Sequence, residues 1–274
     1  MKETPPIENT ETGYRLGDLE ILFGEGGKGK LLRANSLILH GPRNIIVDPA
    51  ACEARQVELA KENPILFYTH YHADHRAAEH VYPQTTEVWT SAADASAIED
   101  PEEFVRRVDS SGSKISKQMF HGLQTVFRIG PRTVERRMDD GDVLGAGGCR
   151  GELFHLPGHT PGHMGLYFEE QSLLYLTDMD LTAFGPWYGN DASDPKAFRE
   201  SIARAREMEC KWYYSSHGEV IFGREEFLEK LDAFDAHFDR RDNLILDALA
   251  EGEKSIKDMC MMGAVYRPKK LAVA

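Results

Sequence analysis

The sequence predicts a layered α/β fold with a small helical carboxyl-terminal extension. Three observations carry that prediction. Short apolar runs punctuated by Gly and Pro recur from Leu19 onward and read as strands. Helix-period segments interrupt them, so sheets and helices both have apolar faces to bury, and stacking them in layers buries both. After about residue 226 only helix-period patterns remain.

The elements follow in order. From Leu19 to Asp48 the pattern is strand-like and broken by Gly-rich turns, with "SLIL" and "NIIVD" flanking a hairpin turn at "HGPR". "EARQVELAKEN" reads as a helix stopped near Asn63 by Pro64. "PILFYTH" is a continuous apolar run and reads as a buried strand. Helical and turn chemistry follows in "ADHRAAEHVYP", then a strand in "TEVWTS". Residues 94–127 are mostly helical with a Gly/Ser break, and read as an insertion forming a lid or one wall of a cleft. Strands resume in "RTVERRMDDGDVL", "GELFHLP", "GLYFEE" and "LLYLTD". A helix "DPKAFRESIARAREM" precedes a strand–turn–strand at "KWYYSSHGEVI". In the tail, Phe227, Leu231, Phe234 and Phe238 form one helical stripe. "NLILDALAEG" reads as a second short helix ending at Gly252, and Ser255 with Asp258 opens a third through a capping-box pattern. The expected division is a main domain over 1–225 and a three-helix extension over 226–274.

Composition narrows the function classes. A hydrophobic fraction of 41% and a charged fraction of 28% are those of a soluble globular protein. No apolar run approaches the ~20 residues of a membrane span. The amino terminus "MKETPPIENTETG" lacks the apolar core of a signal peptide, so the cytoplasm is the expected compartment. Cys52, Cys149, Cys210 and Cys260 are far apart and read as free thiols. A net charge of −13 disfavours nucleic acid as a partner, and "YRPKK" at 266–270 is only a short basic stretch. A small-molecule substrate is the expected partner. The oligomeric state stays open, a homodimer being compatible with the sequence.

The chemistry concentrates in "THYHADH", residues 69–75. Residues two apart on a strand point the same way, so His70 and His72 are expected on one side of the carboxyl end of "PILFYTH". Asp74 and His75 fall at the turn into the next helix and can serve a second ion. Imidazole and carboxylate are zinc ligands. The pattern H-x-H-x-D-H arises by composition in roughly one chain of this kind in a thousand. It also follows a buried strand, where open α/β sheets place their sites. Further candidates recur at strand ends: His159 in "PGHTPGH", Asp178 in "LLYLTD" and His217 in "SSHG". His163 reads as a residue supporting the ligands, and His40, His80, His121, His155 and His237 as surface or core residues.

That order of residues resembles the metallo-β-lactamase superfamily, over roughly Leu19 to Gly223. The resemblance implies a four-layer αβ/βα sandwich with a dinuclear metal site at one edge. His70, His72 and His159 would hold the first ion, Asp74, His75 and His217 the second, and Asp178 would bridge them. Two divalent ions are implied, zinc by preference, with iron or manganese as alternatives. Such ions, about 3.5–4 Å apart, hold a hydroxide between them that attacks a carbonyl or phosphoryl centre. Asp74 would orient it and pass its proton to the leaving group. The implied activity is hydrolysis of an ester-like bond: a thioester, lactone or phosphodiester.

Departures refine the subfamily. Asp178 stands where some zinc β-lactamases use cysteine on the second ion, which argues against antibiotic hydrolysis. His72 rather than Glu argues against the di-iron flavoprotein branch. The ligand pattern is glyoxalase II-like, without that group's carboxyl-terminal Lys/Arg/Tyr pattern. Ala78 replaces a glycine common three residues after the last motif histidine. The tail loosely resembles the winged-helix-like appendage of β-lactamase-like-2 hydrolases linked to RNA. The alternative is a persulfide dioxygenase-like oxidoreductase with one iron on His70, His159 and Asp178; a non-catalytic metal scaffold is a third reading. In "DLTAFGPWYGN", Trp187 and Tyr188 are expected to line the substrate pocket, or to pack the loop on its own aromatics.

Overall fold

The computed structural model describes residues 7–24, 33–111 and 114–265. Most of the first Gly-rich turn and the "YRPKK" stretch lie outside the described residues. The first sheet holds β1 (Glu8–Asn9), β2 (Gly13–Leu16), β3 (Leu19–Leu22), β4 (Ser36–Leu39), β5 (Ile45–Val47), β6 (Ile65–Tyr68), β7 (Val88–Ser91) and β8 (Arg136–Met138), paired in chain order. The second holds β9 (Val143–Ala146), β10 (Cys149–His155), β11 (Met164–Phe168), β12 (Leu173–Tyr175), β13 (Trp212–Tyr214) and β14 (Ile221–Phe222), likewise in chain order. The β4–β5 hairpin around "HGPR" forms as expected, pairing Leu39 with Ile45.

The pairings from β5 to β8 and from β12 to β13 are parallel. A parallel neighbour requires a crossover connection, usually a helix. Helix α1 (Glu53–Ala60) links β5 to β6, and two 3-10 turns, Ala73–Arg76 and Glu79–Val81, lie between β6 and β7. Helices α2 (Ala95–Glu99), α3 (Pro101–Val108) and α4 (Lys114–Phe127) link β7 to β8. Residues 94–127 are therefore the crossover between two adjacent strands, enlarged rather than inserted at random. Helix α5 (Pro195–Arg206) links β12 to β13. Its start is dictated locally: the Asp194 side chain accepts from the Lys196 and Ala197 amides, and Pro195 occupies the first turn.

Strand alternation sorts residues between layers. In β6, Ile65 and Phe67 enter the core between the sheets, where they meet Leu153, Leu166 and Phe168 of the second sheet. Leu66 and Tyr68 face the outer cluster with Leu59 of α1, Ile98 of α2 and Phe104 of α3. Both faces are buried, which is why "PILFYTH" is continuously apolar. Beyond the second sheet, Leu174 and Tyr213 pack against Phe198 and Ile202 of α5 and against the stripe Phe227, Leu231, Phe234 and Phe238. The order of layers is helix, sheet, sheet, helix.

The tail departs from the expectation of three helices. The first two are one continuous helix, α6 (Arg224–Ala250), followed by α7 (Ile256–Met261) with the expected capping box at Ser255 and Asp258. No Gly or Pro lies between 224 and 250, so nothing in the backbone stops the helix before Gly252, whose φ is +133°. Residues of α6 share a core cluster with the second sheet, so this helix is packed onto the domain. Among the described residues no helix is long and apolar enough to cross a membrane.

Candidate metal centre

The site lies where strands of both sheets end at one edge. β6 ends at Tyr68, so His70 and His72 are presented by the bend that follows and not by strand pleating. They still meet: their rings are 4.6 Å apart, nearly perpendicular. Asp74 and His75 sit in the 3-10 turn Ala73–Arg76. His159 and Asp178 follow β10 and β12, and His217 follows β13. Ala78 adopts a φ of −112°, a conformation open to any residue, so no glycine is needed there.

Two groups of donor atoms divide the seven residues, and a third, Asp178, Asp180 and His217, overlaps them. His70, His72, His159 and Asp178 bring one atom each within 4.8 Å of one another, and so do Asp74, His75 and His217. The Asp178 carboxylate lies between them. Its Oδ2 is 3.2 Å from His159 Nε2 and 3.8 Å from His70 Nε2. Its Oδ1 is 2.9 Å from His75 Nε2 and 3.7 Å from His217 Nε2. Asp74 Oδ2 is 3.4 Å from His217 Nε2. All seven residues singled out in the sequence are thus brought together.

Hydrogen bonds fix which imidazole nitrogen faces inward, because a carbonyl or carboxylate only accepts. His159 Nδ1–H donates to the Trp187 carbonyl at 3.0 Å, leaving Nε2 as a lone pair toward the cluster. His75 Nδ1–H donates to Asp48 Oδ2 at 2.8 Å. Thr69 Oγ1 donates to that same Asp48 oxygen at 2.7 Å, and so accepts from His70 Nδ1 at 3.1 Å. One buried carboxylate therefore orients a histidine of each group. His163 supports the site as expected: Nδ1–H donates to the Leu156 carbonyl, and Nε2 accepts the Asp178 amide at 3.0 Å.

The electrostatics distinguish the groups. Burial holds His70 and His72 well below the usual imidazole range, so both are neutral. Burial opposes charge on His75 and His217 as well, but carboxylates outweigh it. Asp178 and Asp48 hold His75 well above its usual range, and Asp180, Asp178 and Asp74 raise His217 to about 10. Against its own burial, Asp178 is held well below the carboxylate range by His75, His217 and His159. His70 Nε2 is buried without a hydrogen-bond partner among the described residues, and His75 Nε2 and Asp178 Oδ1, both buried, lie 2.9 Å from each other. A buried, inward-facing lone pair on His70 beside a buried carboxylate is what a divalent ion satisfies, an ion would take the place of the proton on His75 Nε2, and the residues present fit such ions.

Several contributors carry little signal in the sequence. Asp48 ends the run "NIIVD", and a strand-end carboxylate is its only mark. Asn190 Nδ2 lies 2.7 Å from His72 Nε2 and 3.0 Å from Tyr71 Oη. Asp180 Oδ1 accepts the His217 amide at 2.9 Å, and burial pushes its carboxyl up to about 6. Asp94, fully buried, accepts from Thr160 Oγ1, the Gly162 amide and Arg107 of α3, clamping the turn that carries His159. Of the two loop aromatics, Trp187 lies 5.5 and 5.4 Å from the His72 and His159 rings. The Tyr188 ring stacks on Phe238 of α6 at 5.3 Å.

Comparison with known proteins agrees with this geometry. The family model of the metallo-beta-lactamase superfamily matches residues 30–217. A beta-lactamase-like protein 2 homolog of Caenorhabditis elegans is 29% identical over 283 residues, covering 98% of this chain and 83% of that one. An atrochrysone carboxyl ACP thioesterase of Pseudocercospora fijiensis is 24% identical over 246 residues, covering 86% of this chain but only 62% of its own length. Among solved structures, a metallo-beta-lactamase family protein from Thermus thermophilus superposes with a TM-score of 0.66 at 22% identity, over 90% of this chain and 87% of that one. That last likeness is one of fold. The family match covers most of the chain and spans every residue of both donor groups, and the chain belongs to the metallo-β-lactamase superfamily.

Proposed function

We propose that the chain hydrolyses a small thioester with two divalent ions, zinc by preference, in the cytoplasm. Metal-dependent hydrolysis itself follows from the family and from the thioesterase among its relatives. The dinuclear reading rests on one observation: the two Asp178 oxygens face different donor groups. In this reading His70, His72 and His159 would hold one ion and Asp74, His75 and His217 the other, with Asp178 available to both. Bound there, the ions would bring the pKa of water near 7 and polarise the scissile carbonyl.

The chain's own residues supply the rest. Asp74, side chain 21% exposed, reaches both the second group and solvent. Burial disfavours its charge, but His217 and His75 keep its carboxyl below the usual range. It is therefore an anion that can orient the attacking water, take its proton and pass it to the leaving group. Thr69 holds His70 in the tautomer with Nε2 free, and Asp48 keeps a proton on His75 Nδ1 so that Nε2 is the nitrogen His75 turns to the cluster. Trp187, beside His72 and His159, is assigned to the pocket wall. Tyr188 is assigned to holding the loop, because its ring is engaged with Phe238. Residues 94–127 are assigned to a second wall: the Arg107 and Val108 carbonyls accept the amides of Ala192 and Asp191, just past the aromatic loop. The preference for a thioester over a lactone or phosphodiester is drawn from the fungal relatives named as ACP thioesterases.

The test is metal content of the purified chain together with turnover on thioester, lactone and phosphodiester substrates. Two zinc ions per chain with thioester turnover are expected. One iron per chain with oxygen consumption would replace this reading with an oxidoreductase.

A further inference from the structure

We propose that Arg241, on the carboxyl-terminal helix α6, is a positioning residue for the His70, His72 and His159 group. It acts through the loop 181–190 and rests on the metal-centre reading above. Arg241 is 1% exposed, the largest fully buried side chain described. Its Nη1 donates to the Pro186 carbonyl at 2.6 Å and its Nη2 to the Phe184 carbonyl at 2.7 Å. The guanidinium lies over the Tyr188 and Phe184 rings, at 5.2 and 5.3 Å from their centroids. Among the described residues its hydrogen bonds go to carbonyls and to no carboxylate, and its Nε has no hydrogen-bond partner.

Burying a cation without an ionic partner is costly, and an apolar side chain of similar volume fills such a space at less cost. What an apolar side chain cannot do is hold two carbonyls apart at a fixed distance, as a planar fork does. Those carbonyls belong to the segment that addresses the metal group. Pro186 immediately precedes Trp187, whose own carbonyl accepts His159 Nδ1–H. Trp187 also places its ring against His72 and His159, and Asn190, at the end of the same loop, reaches His72 Nε2. A second contact from α6 fixes the loop independently. At Gly185, φ +79°, a Cβ would stand 2.4 Å from the His237 ring, so only glycine lets the loop lie this close to the helix. In the second donor group Asp48 holds His75, and Asp180, the residue just before the loop, holds the His217 amide; among the described residues neither carboxylate is hydrogen-bonded to α6. Helix α6 is thus tied to one of the two groups.

The experiment compares the full-length wild type with R241M, which keeps length and apolar volume but offers no donor. Two readouts are taken. In the metal-free chain, nitrogen-15 spectra of histidine are expected to show His159 as the Nδ1–H tautomer in the wild type and a mixture in R241M. In zinc titrations against a competing chelator, one stepwise dissociation constant is expected to rise about tenfold, at the low end for loss of an outer partner. The other should stay within about twofold of wild type, because Arg241 is bonded to neither Asp48 nor Asp180, which support its His75 and His217. An unchanged His159 tautomer, or two constants that rise together, would overturn the proposal. If R241M does not fold, R241K takes its place; it keeps the charge without the planar fork, and the same outcomes decide. A wild type that binds no zinc would defeat the metal reading, while the tautomer readout would still judge Arg241.

Discussion

Replacing Asp48 by Asn tests the hydrogen-bond logic of the centre most directly. Asp48 is fully buried and accepts three hydrogen bonds: the Thr69 amide on Oδ1 at 2.8 Å, and Thr69 Oγ1 and His75 Nδ1 on Oδ2. Its φ is +51°, which Asn tolerates as well as Asp, so backbone strain does not confound the change. An amide has one acceptor oxygen where the carboxylate has two. If its oxygen replaces Oδ2, the NH2 faces the Thr69 N–H, donor against donor. If its oxygen replaces Oδ1, the NH2 faces His75 Nδ1, and His75 keeps a bond only by moving its proton to Nε2, toward the metal group. Either orientation loses at least one charge-assisted bond, about 1.5–3 kcal/mol of stability. Loss of an outer carboxylate partner of a ligating histidine costs about 10–100-fold in metal affinity. D48N should therefore melt several degrees lower without metal and, on the proposed two-zinc reading, bind the more weakly held ion at least tenfold less tightly in chelator competition. Two zinc ions bound with wild-type affinities would refute the reasoning, because they would mean that Asp48 does not set the His75 tautomer.

Three further outcomes follow from the same geometry. His75 and His217 have folded pKa values raised above the unfolded value near 6.5, the latter to about 10, so they stabilise the metal-free chain fully below that value. The His217 share is lost as pH rises toward about 10, so the melting temperature of chelator-treated protein should fall over this window, and added zinc should flatten the slope; a flat metal-free profile would contradict the charge assignment. H163A leaves the Asp178 amide and the Leu156 carbonyl unpaired in the interior, costing about 2–6 kcal/mol at roughly 1–3 per group, measurable by urea unfolding. G158A puts a Cβ 2.3 Å from the Phe198 backbone at a φ of +127°, so it should cost about 3 kcal/mol or more and take zinc binding with it, as read by thermal melting and metal content.

Much of this protein is legible in the sequence because its signals are local. Alternation and continuous apolar runs mark the strands, since a strand buried on both faces has no polar positions to confuse with a loop. The seven ligand-type residues are legible because each follows an apolar strand and sits in turn chemistry, a pattern visible without knowing which strands are neighbours. The aromatic loop stands out too, but its two roles separate only in space: Trp187 beside the histidines, Tyr188 on α6. Helix length in the tail is misread from the sequence because a polar stretch, "DRRDN", resembles a break. In the structure it is one more turn of α6, and it buries Arg241.

What the sequence alone determined was the inventory: layered α/β, a histidine and carboxylate set, and the family they resemble. What tertiary structure decided was orientation. That Asp178 presents one oxygen to each donor group, that Asp48 sets tautomers in both, and that α6 reaches the first group through two carbonyls are facts about directions between distant segments. Asp48 and His75 are 27 residues apart, and Pro186 and Arg241 are 55 apart. Hydrogen bonds over such separations depend on where the layers place strand ends to within tenths of an ångström, and no local pattern in the chain encodes that.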